Sequence, residues 1–171
     1  VEDASHALGT TNIRSNKSVT RVGDCKESDI TVFSFHPIKS IAMGEGGGLT
    51  TKSKSLARRL MLLRNHGMVR TSEKFVNVDL GFDASGKANP WYYEMQEVGF
   101  NYRISDINCA LGLSQLRKLE YFVDRRRELA DSYDNLFKPF ETVLKPLKRV
   151  SNCSSSWHLY TVLIDFRKTG I

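Results

Sequence analysis

Paired cysteines, long apolar runs and a basic leader are all missing from this 171-residue sequence. The three cysteines, Cys25, Cys109 and Cys153, are odd in number, lie far apart and form no C-x-x-C pair. This spacing argues against a disulfide framework and a zinc site, so we expect no metal and a reducing, cytoplasmic compartment. No apolar stretch approaches the roughly 20 residues that span a membrane, and we expect no membrane association.

The first residues, Val1-Glu2-Asp3, contain no initiator methionine and no basic segment followed by an apolar one. A secretory signal peptide is therefore not expected. Because the chain opens inside an apparent motif, we expect it to be a fragment of a longer protein.

The charge is positive, with 25 Lys+Arg against 19 Asp+Glu and a formal net charge of +6. A basic balance can indicate nucleic-acid binding. Here, however, the basic residues are dispersed as short groups within amphipathic or loop sequence, which is typical of solvated helix faces. We expect no nucleic-acid partner, and attraction of phosphorylated small molecules fits this charge better.

The predicted elements follow the order of an α/β protein. Ile30–Phe35 is rich in β-branched and aromatic residues and predicts a buried strand of a parallel sheet. Val1–Asp3 reads as the end of another strand, Gly48–Thr51 as a short strand, and residues 8–29 as a loop or short hairpin. Trp157–Ile164 predicts a later strand.

Three helices are predicted from apolar spacing. Ser55–His66 predicts a helix that ends near Gly67, and residues 69–98 predict a long loop after it. Ser105-Asp106 can cap a helix, and a second, longer helix follows it directly. The capped helix has an apolar stripe, formed by Ile107, Ala110, Leu111, Leu113 and Leu116.

A single lysine, Lys39, stands between the strand Ile30–Phe35 and the glycine cluster of residues 44–48. Open α/β sheets bind ligands at the carboxyl ends of their strands, and a desolvated lysine amine forms Schiff bases with carbonyl compounds. Asp3 ends another strand, and His6 follows three residues later, so both are expected in the same crevice. Pyridoxal phosphate (PLP) requires a lysine for its aldehyde, a carboxylate for its ring nitrogen, donors for its phosphate and a group at its ring hydroxyl.

Each of these residues also has an ordinary explanation on its own. Lys39 could be an exposed lysine, Asp3 a turn residue and His6 a partly buried histidine. The glycine cluster lacks the Gly-Lys-Ser/Thr of a Walker loop and is not a dinucleotide fingerprint. Their order and context therefore decide the interpretation.

Five segments, in order along the chain, strongly resemble the DegT/DnrJ/EryC1/StrS family of PLP-dependent sugar aminotransferases. They are Glu-Asp-Ala-Ser-His-Ala at 2–7, Asp-Ile-Thr-Val-Phe-Ser-Phe-His-Pro-Ile-Lys at 29–39, Glu-Gly-Gly at 45–47, Arg-Asn-His-Gly at 64–67 and Gly-Phe-Asn-Tyr-Arg-Ile-Ser-Asp-Ile at 99–107. Residues 110–116 and 156–160 most resemble the family branch of pseudaminic acid biosynthesis. That branch aminates C4 of a UDP-linked 4-keto-6-deoxy-N-acetylhexosamine with glutamate as donor.

The resemblance implies a role for each matching residue. Lys39 would be the Schiff-base lysine and then the base that moves the proton between substrate and cofactor. Asp3 would pair with the pyridinium nitrogen, His6 would contact the ring hydroxyl, and Ser34 would contact the phosphate. Asn101 would reach the phosphate of a neighbouring subunit's cofactor, because the family's active sites are shared across a homodimer. Retention of Lys39 favours transamination, since relatives with histidine there are dehydratases.

The resemblance also implies a fold class: α/β, as a fragment of the type I aminotransferase fold. Residues 1–118 would be the second half of the large PLP-binding domain with its parallel or mixed sheet. Residues 119–137 would form a long connecting helix, and residues 138–171 the incomplete start of a small α+β domain. Family members are about twice this length. We therefore expect an active parent enzyme and an inactive isolated chain.

Three other interpretations stay open. The protein could be a related nucleotide-sugar transaminase that uses another hexose or attacks another carbon. It could be a non-catalytic binding or regulatory protein that kept the fold, although such a protein has no chemical need for Lys39. It could also be a basic nucleic-acid module, for which binding would weaken steeply with salt.

Overall fold

A computed structural model describes residues 1–170, which divide into two compact units. One unit combines Val1–Lys52 with the chain from Ser105 onward, and the other is Ser53–Ile104. The domain boundaries predicted at residues 118 and 137 stay a prediction. No helix within residues 1–170 has both the length and the apolar character needed to cross a membrane.

The chain forms both strands and helices, and most of them are short. The strands are β1 Glu2–Asp3, β2 Thr11–Ile13, β3 Val19–Arg21, β4 Thr31–Ser34, β5 Gly47–Thr50, β6 Met68–Val69, β7 Glu94–Met95, β8 Leu144–Pro146, β9 Cys153–Ser154 and β10 Val162–Ile164. The α-helices are α1 Lys54–Leu63, α2 Val78–Gly81, α3 Asp106–Leu116, α4 Leu119–Phe137 and α5 Phe166–Thr169. Two 3₁₀ turns occupy Ser72–Lys74 and Lys138–Phe140.

The first sheet has the strand order β1-β4-β5. β1 and β4 are parallel, with Glu2 opposite Thr31 and Asp3 opposite Val32, whereas β5 is antiparallel to β4. The predicted strands are therefore confirmed, in a mixed sheet. Thr31 and Phe33 are buried while the alternate residues of β4 are half-buried, so one face of this strand carries the core.

A second sheet joins distant parts of the chain. β2 and β3 form the antiparallel hairpin that the sequence of residues 8–29 allowed. β9 then adds to the other edge of β2, with Thr11 opposite Ser154 and Asn12 opposite Cys153. The carboxyl-terminal part of the chain is thereby fixed beside the segment that follows β1.

Helices α3 and α4 confirm two predicted helices. The Ser105 side chain caps α3 by accepting a hydrogen bond from the Asn108 N–H at 3.2 Å. The apolar stripe of α3 does not face a core, because Ile107 is 83% exposed and Leu113 is 56% exposed. α4, in contrast, buries Val123 and Ala130 within its unit.

Two predicted boundaries were wrong for reasons of backbone geometry. The strand predicted over Trp157–Ile164 is confined to β10, which pairs with β8, and Trp157 itself cannot extend it because its φ of +48° is left-handed. Helix α1 ends at Leu63 rather than near Gly67, since His66 and Gly67 both have positive φ values that a right-handed helix excludes.

In the second unit, the Glu94 side chain connects several residues of the predicted long loop by hydrogen bonds. Glu94 accepts hydrogen bonds from the backbone N–H of Val76 (2.6 Å), the Tyr92 hydroxyl (2.7 Å) and the Gln96 side chain (2.6 Å). Led by the Gln96 and Tyr92 hydrogen bonds, these donors lower the pKa of Glu94 to about 2. β6 and β7 pair antiparallel in the same unit.

Candidate functional site

Two parallel strands place Asp3 and the turn that carries Lys39 at the same end of the first sheet. Asp3 is the last residue of β1, and the Ala4 N–H donates to the Val32 carbonyl at 2.8 Å. The chain leaves β4 through a turn in which the Lys39 N–H donates to the His36 carbonyl at 2.9 Å. Asp3 and Lys39 therefore both follow the carboxyl ends of neighbouring parallel strands, where α/β sheets bind ligands.

Hydrogen bonds from Ser5 favour the ionised form of the Asp3 carboxylate. The Ser5 hydroxyl donates to Asp3 Oδ1 at 2.6 Å, and the Ser5 N–H donates to the same oxygen at 3.0 Å. The Ser5 hydroxyl is the main cause of a lowered Asp3 pKa, and the positive charges of His6 and Lys39 lower it further. The hydrogen bonds of Ser5 to Asp3 were not predicted, although an aspartate that accepts from the residue two positions later is a common turn pattern.

The loop that follows Lys39 is held by both long helices. Asn108 of α3 donates to the Met43 carbonyl at 2.5 Å, and Arg126 of α4 donates to the Ser40 carbonyl at 3.5 Å. Ser40 and Met43 are themselves buried. Lys39 itself is half-buried.

His6 has a second histidine as its neighbour. The His6 and His158 ring centroids are 4.4 Å apart with an interplanar angle of 52°. Burial lowers the pKa of His158, and the positive charges of His6, Lys39 and Arg126 lower it further. His158 is therefore a neutral neighbour of these charged groups. No sequence signal placed it there, because more than 100 residues separate it from Lys39.

Ser34 and Asn101 occupy different units. Ser34 is the last residue of β4, and its hydroxyl oxygen lies 3.5 Å from the His36 N–H. Asn101 lies in the second unit, where it is exposed and forms an isolated antiparallel bridge with Asn65. Their roles in phosphate binding stay predictions.

The groups around Asp3 fit PLP chemically. An ionised carboxylate suits a cationic ring nitrogen, a half-buried amine suits an aldehyde, and an adjacent imidazole suits a ring hydroxyl. Within the described residues 1–170, no group of three His, Cys, Asp or Glu side chains is arranged to hold a metal ion.

Comparison with known proteins identifies the family. The model of the DegT/DnrJ/EryC1/StrS aminotransferase family matches residues 1–170. The chain belongs to this family. The motifs of residues 2–7, 29–39 and 99–107 are thus those of a DegT/DnrJ/EryC1/StrS protein, and the resemblance found in the sequence is confirmed.

Individual family members match over nearly the whole chain. A UDP-4-amino-4,6-dideoxy-N-acetyl-beta-L-altrosamine transaminase of Campylobacter jejuni is 38% identical over 168 residues, which are 96% of this chain and 37% of the relative. The spore coat polysaccharide biosynthesis protein SpsC of Bacillus subtilis is 32% identical over 171 residues and 40% of its own length. The chain therefore spans about two fifths of the curated relatives it matches.

Solved structures of the family share the fold. PseC of Helicobacter pylori, an aminotransferase involved in pseudoaminic acid biosynthesis, gives a TM-score of 0.75 at 34% identity. That match covers 96% of this chain and 38% of PseC. The PLP form of the putative sugar aminotransferase Spr1654 from Streptococcus pneumoniae gives 0.73 at 25% identity, over 99% and 41% of the two chains. The chain thus has part of the sugar aminotransferase fold, as predicted.

Proposed function

We propose that the protein containing this chain is a PLP-dependent transaminase. It would transfer an amino group from glutamate to a nucleotide-linked 4-keto-6-deoxy sugar. The observation that carries this proposal is the placement of an ionised Asp3 and a half-buried Lys39 after neighbouring parallel strands. Membership of an aminotransferase family supplies the reaction class.

Each side chain of this site has a separate role. Bound PLP supplies an electron sink for the negative charge that develops at the substrate carbon. Asp3 keeps the ring nitrogen protonated by pairing with it, and Lys39 holds the aldehyde and then moves the proton at the substrate carbon. His6 contacts the ring hydroxyl, and Ser34 donates to the phosphate.

The relatives support a particular sugar class. The Campylobacter jejuni relative and a Helicobacter pylori relative at 36% identity are both named for a UDP-linked 4-amino-4,6-dideoxy-N-acetyl-altrosamine. We therefore infer a UDP-4-keto-6-deoxy-N-acetylhexosamine as the substrate and surface glycan biosynthesis as the setting. The enzyme would be cytoplasmic and a homodimer in which Asn101 reaches the partner's cofactor.

Borohydride trapping tests the site directly. PLP is added to the full-length protein, the Schiff base is reduced, and the modified peptides are mapped by mass spectrometry. We expect one stoichiometric adduct on Lys39 that Lys39→Ala abolishes. Exposed Lys52 is the matched control, and Lys52→Ala should leave the adduct unchanged.

Transamination is then measured with glutamate and the UDP-linked keto sugar. Lys39→Ala should abolish it, because Lys39 is the amine that follows β4 at the end of the sheet where Asp3 lies. Undiminished function in Lys39→Ala, or labelling scattered over many lysines, would contradict the proposal and favour a non-catalytic binding protein.

A further inference from the structure

The segment around Ser156 is anchored to the segment around His6. Ser156 is fully buried, and its N–H donates to Thr10 Oγ1 at 3.0 Å. The Thr10 hydroxyl in turn donates to Ser156 Oγ at 3.1 Å, and the Ser156 hydroxyl lies 3.5 Å from the His6 carbonyl oxygen. Together with the pairing of β9 and β2, these contacts fix two distant parts of the chain to each other.

The chain changes direction at Trp157, directly after the buried Ser156. Its φ of +48° costs a bulky residue about 1–2 kcal/mol, so neighbouring contacts must maintain it. The Arg149 guanidinium lies 4.9 Å from the Trp157 ring centroid. Arg149 is itself ion-paired with Asp131 at 2.7 Å and Asp134 at 2.6 Å, both on α4. The residue after this turn is His158.

His158 meets His6 as a packed, uncharged ring. Its ring centroid is 4.4 Å from that of His6, so the two rings are closely packed. Its Nδ1 is buried and has no hydrogen-bond partner among residues 1–170. Burial together with the nearby charges of His6, Lys39 and Arg126 disfavours a proton on His158. A neutral ring can pack against His6 without repelling a positive charge there.

We propose that His158 is a positioning residue: its imidazole packs against the exposed His6 ring and holds that ring in one orientation beside Asp3 and Lys39. An exposed side chain without such a neighbour exchanges between rotamers within nanoseconds. This role rests on the proposed function, in which His6 contacts the cofactor. It concerns the ring of His158 as a packing surface and assigns no direct ligand contact to its nitrogens.

Two substitutions in the full-length protein separate packing from nitrogen chemistry. His158→Ala removes the ring, and His158→Phe keeps a ring of similar size without nitrogens. We expect His158→Ala to weaken PLP affinity about 2- to 10-fold, the range of one aromatic pair, and His158→Phe to stay close to wild type. His158→Phe also keeps the test decisive if His158→Ala does not fold.

A second measurement does not depend on PLP. Nuclear magnetic resonance of the cofactor-free protein gives the three-bond couplings of the His6 side chain, assigned with His6→Asn. We expect the couplings of one rotamer in the wild type and in His158→Phe, and averaged couplings in His158→Ala.

The outcomes distinguish this inference from the proposed function. Unchanged couplings and unchanged PLP affinity in His158→Ala would overturn the inference and leave the function standing. Equal losses of affinity in both variants would also overturn it, because they would assign a direct contact to a nitrogen. If the wild type takes up no PLP but His158→Ala averages the His6 couplings, the function fails and the positioning of His6 is supported.

Discussion

Charge at the candidate site is controlled by single hydrogen bonds. Asp3 is exposed, so burial does not isolate its carboxylate from water. Its pKa is lowered mainly because the Ser5 hydroxyl donates to it, with further help from the Ser5 N–H and from the charges of His6 and Lys39. These hydrogen bonds and charges favour the ionised form of the Asp3 carboxylate.

Ser5→Ala should raise the pKa of Asp3 toward its ordinary value of 3.8, because the largest lowering interaction is lost while the backbone hydrogen bond remains. A lowered pKa stabilises the folded state above the ordinary value, and that stabilisation is lost as the pH falls through the folded value. The change is measured by following the Asp3 side-chain carboxyl carbon in an NMR titration. Ser5→Thr keeps the hydroxyl and is the matched control. An identical Asp3 titration in Ser5→Ala would contradict the assigned cause.

Glu94→Gln should reduce the protection of backbone amides in the second unit against hydrogen exchange. The substitution removes a charge that accepts hydrogen bonds from the N–H groups of Val76 and Asn77, so these amides should exchange with solvent faster. The folded pKa of about 2 lies below the ordinary 4.5, so the stabilisation is present above pH 4.5 and is lost as the pH falls toward 2.

Hydrogen exchange of the two amides, followed by mass spectrometry from neutral to acidic pH, tests this expectation. Glu73→Gln is the control, because Glu73 lies in the same unit and makes no hydrogen bond or ion pair within residues 1–170. Equal protection of both amides in Glu94→Gln and wild type would contradict the role of this carboxylate.

At the scale of single residues, the sequence pattern allowed the positions of some groups to be predicted, but not their roles. Lys39, Asp3 and His6 were expected in one crevice from their positions after strands, and the structure places His6 and Lys39 close enough to Asp3 to lower its pKa. Their chemical roles stay predictions. His158 could not be placed from the sequence, since its contact with His6 depends on a turn and an anchor far along the chain.

Among the elements, the fit between the β1–β2 connection and α4 depends on one glycine. Gly9 has a φ of +89°, and a Cβ added there would lie 2.7 Å from Val123 Cγ2 of α4. Val123 is 3% exposed, so it has little room to move.

Gly9→Ala should therefore lower the free energy of unfolding by about 2 to 4 kcal/mol, from left-handed backbone strain and the clash together. Gly86→Ala is the matched control: Gly86 has a φ of +79° and no atom within 4 Å of an added Cβ. Its cost should be about 1 to 2 kcal/mol, from strain alone. Urea denaturation gives both values, and equal losses would show that α4 yields to the added methyl group.

The existence of elements was easier to predict than their limits. β4 follows from its β-branched and aromatic residues, α3 from its cap and apolar stripe, and α4 from its apolar spacing, all of which are local properties. The β2–β3 hairpin was one of two alternatives that the turn signals of residues 8–29 left open. Positive φ values at His66, Gly67 and Trp157 exclude these residues from the longer helix and strand that the sequence predicts. Because tertiary contacts maintain such values at non-glycine residues, the local sequence does not reveal them.

At the scale of the whole molecule, the apolar stripe of α3 is solvent-facing. Periodicity predicts an amphipathic helix but not what covers it. Ile107, Leu111, Leu113 and Leu116 are each at least 45% exposed. Exposed apolar patches of this kind favour association.

Ile107→Gln should reduce self-association of the chain while changing its free energy of unfolding by less than about 0.5 kcal/mol, since the side chain is already solvated. Val123→Gln is the contrasting control and should cost about 2 to 3 kcal/mol, because it places an unpaired amide in the core. Light scattering and urea denaturation provide the two readouts. A large loss of stability in Ile107→Gln would mean that α3 is covered in solution.

The Ser156–Thr10 contact also sets an order of events during synthesis. It joins residues 146 positions apart, so nearly the whole of this chain must leave the ribosome before the anchor can close. Strand β1 and the turn that carries Lys39 can form much earlier, because their contacts span about thirty residues. Of the contacts around the candidate site, the pairing of β1 with β4 therefore needs the shortest stretch of chain, and the Ser156–Thr10 contact, which fixes the neighbour of the His6 ring, needs the longest.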